Sequence, residues 1–546
     1  MGAALAPLPW LSLHAAEKAS AAKSVARRPN IIFLLAGDLG YGDIGAFGQK
    51  KIRMPNLDQL AKDGMRLTHH YSGHNVCAFI YDNENKKLPG NSMKLSLLLP
   101  LLGAIVPAAF SATTSPPAAL RPNILIIVAD DLGWGDAGWH GSHIQTPHLD
   151  QLVRAGVELD QHYVSPMCSP TRAAILSGRY ASRFGVTAAQ NDLALFPDTV
   201  TLAGGLRDAG YATAITGKWH LGSKAEWGPN KFGFDHSYGA FAGGTGPYDH
   251  RYKKGEFTGN WHRNGELITE EGHVTDLIAR EAIRWIEGRD ARPFFLYLPF
   301  TAPHIPIDEP KRWLALYPGV EPLSKRHYAA SVTHMDDAIG QVVAALERTG
   351  KLANTLIVFT SDNGATPTVR NDDTQYPGTY LAGPAGGSNL PLRGKKTELY
   401  EGGIRVPAFV YWPAKLKPGK FTAALHAVDW MPTVCAVAGW QPAQDLRWDG
   451  SNVWPWLTGE TPPSPRPLYW AGTSFRTRAV RDGDWKLIAD GDGEKVELFN
   501  LARDPHEEKD VAAQEPARVK SLTALLAKMA AADAAHRSTG IPTPAP

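Results

Sequence analysis

The stretch NILIIVADD, residues 123–131, is an apolar run that ends in two adjacent acids. A run of β-branched and aliphatic residues this short is typical of a strand buried on both faces, as strands are in a parallel sheet. From residue 121 onward, apolar runs, polar clusters and helical patterns alternate along the chain. This alternation predicts an α/β fold with a largely parallel sheet.

The polar residues that follow two of these runs suggest a metal site. Asp130 and Asp131 follow the run 124–128, and Asp362 and Asn363 follow the run 356–359 in NTLIVFTSDNGA. Ligands of parallel sheets bind beyond the carboxyl ends of the strands, where these side chains would meet. An all-oxygen set of this kind suits Ca²⁺ or Mg²⁺ better than metals that prefer sulfur. Either pair alone could equally cap a following helix, but together they favour a metal.

Two further apolar runs end in basic side chains. YATAITGKWHLG places Lys218 and His220 after a strand that we expect to end at Ile215, and PFFLYLPFTAPHIP places His304 after another. A single histidine is more often structural than catalytic. These two gain weight because they follow strands, as the acids do, and because histidine can move protons near neutral pH.

Lysines and an arginine complete the candidate pocket. LRGKKTELYEGGIRVP contains Lys395 and Lys396 next to a Gly-Gly turn, and Arg172 lies one helical turn after Cys168, on the same face of a predicted helix. Lysines in such a stretch are usually solvated surface charges. Around an oxygen-bound metal, however, these cations predict a site for a tetrahedral oxyanion, either sulfate or phosphate.

Cys168 stands alone in CSPTRAAILSGRY, residues 168–180. The chain has three cysteines, Cys77, Cys168 and Cys435, which are too few and too scattered for a disulfide framework or a thiolate metal site. Its position next to the predicted oxyanion site therefore calls for a chemical explanation.

Five blocks of the sequence, taken in order, resemble the type I sulfatases of the alkaline phosphatase superfamily. They are CSPTRAAILSGRY, GKWHLG, TAPH, SDNG and LRGKK…EGGIRVP. The resemblance extends from residue 120 to about residue 536, and includes arylsulfatases and glycan sulfatases close to N-acetylgalactosamine-4-sulfatase. It implies a large mixed, mostly parallel sheet sandwiched by helices, with a smaller C-terminal subdomain of antiparallel sheet plus helix. The implied activity is the hydrolysis of aryl or glycan sulfate monoesters.

The resemblance also implies how Cys168 is used. A formylglycine-generating enzyme would convert it to formylglycine (3-oxoalanine), whose hydrate attacks sulfur and later expels sulfate. The implied metal is Ca²⁺, with Mg²⁺ as the alternative. Its ligands would be residue 168 together with the four oxygen ligands named above, Asp130, Asp131, Asp362 and Asn363.

The remaining candidates take roles by position in the same family pattern. Arg172 would steady the hydrate, and His220 would take the proton that lets the sulfate ester collapse. Lys218 and Lys396 would bind sulfate oxygens, and His304 would protonate the leaving alcohol. Lys396 is preferred to Lys395 because it has the family's spacing before the sequence EGG.

An internal echo precedes this region. RRPNIIFLLAGDLGYGDIGAFG, from Arg27, resembles LRPNILIIVADDLGWGDAGWHG, from Leu120. The first copy has Gly37 in place of the first metal-binding Asp, and its Cys77 lacks the Pro and Arg of the signature. Between the copies, MKLSLLLPLLGAIVPAAFSA is typical of a secretory signal peptide, with a buried helix as the alternative.

We therefore expect four segments. Residues 1–92 would be a truncated, inactive copy of the sulfatase N-terminus, and residues 93–119 a signal-like segment and linker. Residues 120–425 would be the catalytic domain, and residues 426–546 the C-terminal subdomain with a loose tail. The signal-like segment implies a periplasmic or secreted protein.

Composition and motif together limit the function. The 56 basic and 54 acidic residues give a net charge of +2 without a basic stripe, which argues against a nucleic-acid partner. The apolar segment is too short and too rich in proline for a membrane span. The expected partner is a sulfated small molecule or glycan. Two alternatives stay open: a phosphomonoester or phosphonate hydrolase of the same superfamily, and an unconverted, non-catalytic sulfoglycan-binding protein.

Overall fold

A ten-stranded sheet forms the centre of the protein. The computed structural model describes residues 58, 59, 63, 121–491 and 493–534. The predicted upstream copy and signal-like segment therefore lie almost wholly outside the described residues, as does the end of the predicted loose tail.

The strands follow one another along the chain as β1 (Asn123–Ala129), β2 (Val157–Leu159), β3 (His162–Tyr163), β4 (Ala212–Lys218), β5 (His236–Ala240), β6 (Trp261–Arg263), β7 (Glu266–Leu267), β8 (Phe294–Pro299), β9 (Thr355–Ser361), β10 (Phe409–Tyr411), β11 (Gly419–Phe421), β12 (Leu425–His426), β13 (Leu468–Ala471), β14 (Thr477–Asp482), β15 (Trp485–Asp490) and β16 (Val496–Asn500). The large sheet has the order β11-β2-β10-β9-β1-β8-β4-β5-β6-β7. Its central strands β9, β1, β8, β4 and β5 are parallel, whereas β10 and β6 are antiparallel to their inner neighbours. This confirms the predicted mixed, mostly parallel sheet.

Helices cover both faces of this sheet. In chain order from residue 121, the α-helices are α1 (Pro147–Ala155), α2 (Cys168–Ser177), α3 (Leu202–Asp208), α4 (Val274–Glu287), α5 (Lys311–Leu314), α6 (Leu323–Arg348), α7 (Glu401–Ile404), α8 (Trp430–Ala438), α9 (Trp454–Leu457) and α10 (Pro516–Ala530). Side chains of β1 alternate between two apolar clusters: Ile124 and Ile126 pack with α2, α3 and α8, and Leu125 and Ile127 pack with α1, α4 and α6. Each fully buried aliphatic side chain of this kind stabilises the fold by roughly 1.5–3 kcal/mol.

A second, smaller sheet follows in the chain. Strands β13, β14, β15 and β16 pair in sequence order and are all antiparallel, and α10 comes after them. This confirms the predicted small antiparallel sheet plus helix. The boundary that we placed at residue 426 stays a prediction.

One strand is longer than the sequence suggested. We expected the strand before GKWHLG to end at Ile215, but β4 runs on to Lys218. The extra residues pair with β5, whose partner register continues to Ala240. Among the described residues, none of the helices combines the length and the apolar character that a membrane crossing needs.

Candidate active site

Four neighbouring strands deliver the predicted site residues to one edge of the sheet. In the order β9-β1-β8-β4, these strands are parallel, so their carboxyl ends lie on the same side. Asp362 and Asn363 follow β9, the two adjacent acids follow β1, His304 follows β8, and Lys218 ends β4. The structure thus brings together the residues that sequence spacing placed after strands.

The adjacent acids are directed to different partners. The Nζ of Lys218 lies 2.6 Å from Oδ2 of Asp130, and the Nζ of Lys396 lies 2.6 Å from Oδ1 of Asp131. Asn363 Nδ2 also donates to Oδ1 of Asp131, at 2.7 Å. Each carboxylate therefore has its own cation, which offsets the repulsion between neighbours.

These contacts shift the two carboxyl groups in opposite directions. Burial raises the pKa of Asp130, and the negative charge of Asp362 adds to this effect against the opposing charge of Lys218. Burial would also raise the pKa of Asp131, but the charges of Lys396 and His304, together with hydrogen bonds from Lys396 and Asn363, hold that pKa below its ordinary value. The two neighbouring carboxyl groups therefore differ in pKa within one site.

Arg172 ties helix α2 to two of the strands. Its Nε and Nη2 donate to Oδ2 of Asp362 at 3.1 and 2.7 Å, and its Nη1 donates to the carbonyl oxygen of Lys218 at 2.9 Å. The guanidinium is fully buried. Its planar fork fixes the orientation of Asp362 relative to α2, which single-point donors would do less well.

Lys396 and Lys395 have different surroundings. Lys396 is buried against Asp131, whereas Lys395 is half-buried. Burial would lower the pKa of Lys396, but the neighbouring carboxylate of Asp131 raises it, so that the side chain stays a cation. The structure therefore brings the lysine preferred from the sequence into the site.

Cys168 is the first residue of α2 and is 2% exposed. Pro170, in the first turn, costs the helix no hydrogen bond because the first N–H groups of a helix have no partner within it. Burial raises the pKa of the Cys168 thiol, and the cations of Lys218 and Lys396 oppose this effect without overcoming it. The thiol is consequently a weak nucleophile as it stands.

His220 is buried and both of its ring nitrogens lack a hydrogen-bond partner. Its backbone is left-handed, with a φ of 56°. Burial lowers the pKa of the ring, and the nearby cations Lys218 and Arg172 lower it further. Two buried nitrogens without partners are costly, so this ring is placed to form a hydrogen bond with a bound group.

His304 lies at the more open side of the site. Its side chain is 16% exposed, its Nδ1 is 2.5 Å from the carbonyl oxygen of Ile305, and its Nε2 is 3.9 Å from Oδ2 of Asp131. Burial lowers the pKa of His304 to about 3, against the raising effect of Asp131. Because the Ile305 carbonyl accepts from Nδ1, the other nitrogen faces the site.

The donor set fits a divalent cation. One ligand atom each from Asp130, Asp131 and His304 lie within 4.8 Å of one another. Asp130 Oδ1 and Asn363 Oδ1 are buried and accept no hydrogen bond. Unsatisfied buried oxygens carry a desolvation cost that a hard cation between them would remove. The sequence predicted His304 as a proton donor in this pocket and did not include it among the metal ligands.

A second group of potential ligands, His273, Asp276 and His334, was not predicted from the sequence. Both ring nitrogens of His334 are already paired, with Glu309 Oε2 at 2.8 Å and Asp276 Oδ1 at 3.1 Å. Burial would lower the pKa of His334, but these carboxylates raise it to about 9. The Nδ1 of His273 accepts the N–H of Thr275, so that its other nitrogen carries the proton in the neutral ring. This cluster is an internal ion network.

Two protein-family models match this chain. The family model described as Sulfatase matches residues 29–81 and 122–440, and the model described as N-sulphoglucosamine sulphohydrolase, C-terminal, matches residues 395–533. Arylsulfatase J of Mus musculus is 32% identical over 480 residues, which cover 76% of this chain and 76% of the relative. N-acetylgalactosamine-6-sulfatase of Rattus norvegicus is 33% identical over 387 residues, covering 66% of this chain and 69% of the relative.

Solved structures give the same result. The crystal structure of Ps i-CgsB in complex with k-i-k-neocarrahexaose is 30% identical to this chain, covers 77% of it and 95% of its own length, and superposes with a TM-score of 0.68. The phosphonate monoester hydrolase of Agrobacterium radiobacter shares the fold at 19% identity, covering 75% of this chain and 96% of its own, with a TM-score of 0.55. With a family model that matches more than half of its residues, the chain belongs to the sulfatase family, whose members hydrolyse sulfate esters.

Proposed function

We propose that this sulfatase cleaves aryl or glycan sulfate monoesters with a formylglycine formed from Cys168 and a divalent cation, Ca²⁺ in first place and Mg²⁺ as the alternative. One observation supports this most strongly. Cys168 opens a buried helix at the point where Lys218, Lys396 and Arg172 converge with unsatisfied carboxylate and amide oxygens. An unmodified thiol with a raised pKa would be a poor choice for such a position.

The cation and the formylglycine would be held by residues already described. Asp130, Asp131, Asp362 and Asn363 would bind the cation together with residue 168. When present, the hydrated aldehyde supplies a nucleophilic hydroxyl and a second hydroxyl for release, and the cation supplies electrostatic stabilisation. The unpaired oxygens of Asp130 and Asn363 support this assignment.

The basic side chains would divide the remaining work. Lys218 and Lys396 would offset the negative charge on the sulfate oxygens, and Arg172 would hold Asp362 and α2 in register for residue 168. The ring of His220, without a hydrogen-bond partner, would take a proton from residue 168.

His304 would donate a proton to the leaving alcohol from Nε2. Its Nδ1 is held by the Ile305 carbonyl, which leaves Nε2 as the nitrogen directed into the site. Burial holds the pKa of His304 low. A bound sulfate ester adds negative charge beside the ring, which raises this pKa toward the range where a general acid works well.

A glycan sulfate and an exported enzyme are the finer parts of the proposal. The oligosaccharide bound to Ps i-CgsB supports a glycan substrate for a chain that is 30% identical to it. The signal-like segment supports a periplasmic or secreted location, where the chain would arrive after a formylglycine-generating enzyme has acted on Cys168.

The first test is to weigh the tryptic peptide from Ala155 to Arg172, taken from protein made in its own host. We expect the mass of an aldehyde in place of the thiol. The same protein should hydrolyse 4-nitrophenyl sulfate much faster than 4-nitrophenyl phosphate, and the Cys168→Ala variant should hydrolyse neither. A converted protein that prefers the phosphate would favour the phosphate hydrolase alternative. An unmodified thiol with retained sulfoglycan binding would favour the binding protein.

A further inference from the structure

We propose that Lys486 and Glu507, which belong to the C-terminal part of the chain, are positioning residues for the sulfate pocket. They would act through Glu401 on the Lys396 segment, defined here as residues 394–404, and on the turn that carries Asn363. The inference deepens the proposed function, on which it rests for the identity of the pocket.

Lys486 lies in a fully buried ion cluster. From β15, its Nζ donates to Glu401 Oε1 at 2.9 Å and lies 2.8 Å from Glu507 Oε1. The side chains of all three residues are 0% exposed. Glu507 Oε2 also accepts the backbone N–H of Glu401, at 2.6 Å. The first residue of α7 is therefore fixed through both its side chain and its backbone.

The second oxygen of Glu401 is occupied as well. Tyr163, from β3, donates its hydroxyl hydrogen to Glu401 Oε2 at 2.6 Å, and Arg481 Nη1, from β14, donates to the same Tyr163 hydroxyl at 2.5 Å. Both carboxylate oxygens are thus held, one by Lys486 directly and one through Tyr163. With both of its oxygens held, the buried Glu401 carboxylate is fixed in one geometry and has little freedom to rotate.

Glu507 accepts an unfavourable backbone to reach this cluster. Its φ is 58°, in the left-handed region that a residue with a Cβ rarely adopts. Conformations of this kind persist where the surroundings hold them, and they concentrate near functional sites. Arg393, just before the Lys396 segment, adds a hydrogen bond to the Glu507 carbonyl oxygen at 2.9 Å.

The cluster is linked to the turn that carries Asn363 through two close backbone contacts. Gly364, next to Asn363, donates its N–H to the Gly403 carbonyl oxygen at 3.1 Å. A Cβ on Gly364 would lie 1.8 Å from the Gly402 carbonyl oxygen, so that only glycine allows this approach. A shift of α7 would therefore move the turn that carries Asn363.

The same helix also closes the loop that carries Lys396. Gly402 donates its N–H to the Arg393 carbonyl oxygen at 2.6 Å, and Lys396 donates its own N–H to the Ala365 carbonyl oxygen at 3.2 Å. Lys396 is thereby held between α7 at the end of its loop and the residues that follow Asn363. Its Nζ needs this support to stay against Asp131.

The charge of Lys486 makes it the residue of the cluster whose removal should disturb the two carboxyl groups most. Burial raises the pKa of Glu507. Burial would also raise the pKa of Glu401, but the charges of Lys486, Arg405 and Arg481 together outweigh it and lower that pKa. Removing the ammonium would leave two buried carboxyl groups facing each other without their shared cation. One of them must then take up a proton or move away, and either change reaches α7.

The test compares Lys486→Met with Arg183→Met in the full, matured chain. Arg183 is a matched control, because it is also a buried cation that binds the C-terminal part, at Asp533 Oδ1 and the Met529 carbonyl oxygen, both 2.8 Å away. It does not contact the Lys396 segment in the hydrogen bonds and ion pairs of the described residues. Both variants should unfold at lower temperature.

Only Lys486→Met should damage the site. We expect kcat/KM for 4-nitrophenyl sulfate to fall by about tenfold or more, because small displacements of positioned groups reduce rates strongly. Inhibition by inorganic sulfate should weaken in parallel. Glu507→Gln, which keeps the shape of the side chain, should show a smaller loss of the same kind and serves if Lys486→Met does not fold.

Hydrogen–deuterium exchange separates this inference from the proposed function. Peptides covering residues 394–404 and 362–365 should exchange faster in Lys486→Met than in the matured chain without a substitution. In Arg183→Met the exchange rate of these peptides should not change. This result would support the positioning role even if the chain had no sulfatase activity. A lack of sulfatase activity would overturn only the proposed function. Equal exchange and equal kcat/KM in Lys486→Met and the unmodified chain would overturn the inference, as would equal losses in both variants.

Discussion

Asp131 and His220 both leave the sheet with a left-handed backbone, at φ values of 70° and 56°. Such conformations cost of order 1–3 kcal/mol for residues with a Cβ, and they are retained where they aim a side chain. Here they turn Asp131 away from Asp130 and direct the His220 ring into the buried site. The backbone conformations of these two residues therefore lower the stability of the fold in order to orient their side chains.

Gly243 makes room for the His220 ring, and this gives a prediction. A Cβ on Gly243 would lie 2.4 Å from Nε2 of His220. We expect Gly243→Ala to displace the ring and to lower kcat by about 100-fold, the usual contribution of a proton-transfer group. Steady-state kinetics with 4-nitrophenyl sulfate measure this effect.

Gly319→Ala is the control for this variant, because a Cβ on Gly319 would meet nothing within 4 Å. It should keep the kcat of the matured enzyme without a substitution. If Gly243→Ala also kept its kcat and melting temperature, the proposed role of His220 at this position would be wrong.

Among the elements, α2 combines three useful properties. Its first residue is Cys168, its fifth is Arg172, and all ten of its residues are buried. The N-terminus of a helix carries partial positive charge and free N–H groups, which favour an anion close to residue 168. Burial of the whole helix keeps this end in one place relative to β9 and β4.

The sequence predicted the elements whose signals are local. Strands β1 and β9 were readable because a buried apolar run ends directly in acids, and α2 because Cys168 and Arg172 share a helical face. The antiparallel strand β10 and the edge strands β6 and β7 lack such signals, because their place depends on pairing with distant segments. The same holds for Lys486 and Glu507, which reach Glu401 only in the folded chain.

The ion network around His334 gives a prediction about α4 and α6. It joins Asp276 of α4, His334 of α6 and Glu309, which precedes α5. Because the pKa of His334 is raised to about 9 from an ordinary value near 6.5, its stabilisation is fully present below pH 6.5. The stabilisation is lost as the pH rises through 9. For a shift of this size it amounts to roughly 3 kcal/mol.

The measurement is the free energy of unfolding of the unmodified chain and of His334→Gln, by urea titration between pH 6 and pH 9.5. The difference between the two should be largest at the acid end and shrink by most of that amount at the alkaline end. His143→Gln, at an exposed histidine, serves as the control for general effects of losing an imidazole. A difference for His334→Gln that stays constant with pH would contradict the prediction.

Every proposed site residue lies between residues 130 and 396, and the proposed supporting cluster ends at Glu507. The described residues from 121 to 534 belong to one compact unit. We therefore expect a chain that starts at Ala112 to have the same kcat/KM as the full chain, once Cys168 has been converted.

The corresponding control is Cys168→Ala in the full chain, which should have no sulfatase activity. Activity in that variant would show that residues 1–92 hydrolyse sulfate esters themselves, against our prediction. A loss of activity in the shortened chain, with conversion of Cys168 confirmed by mass, would show that the upstream segment assists folding or catalysis.

The burial of Cys168 sets an order of events in the life of the chain. Its side chain is 2% exposed at the start of a helix that is itself enclosed. Under the proposed maturation, another enzyme must reach this side chain before the central sheet closes over it. The rate of conversion then competes with the rate of folding. The fraction of active molecules in a preparation therefore measures the ratio of these two rates during synthesis.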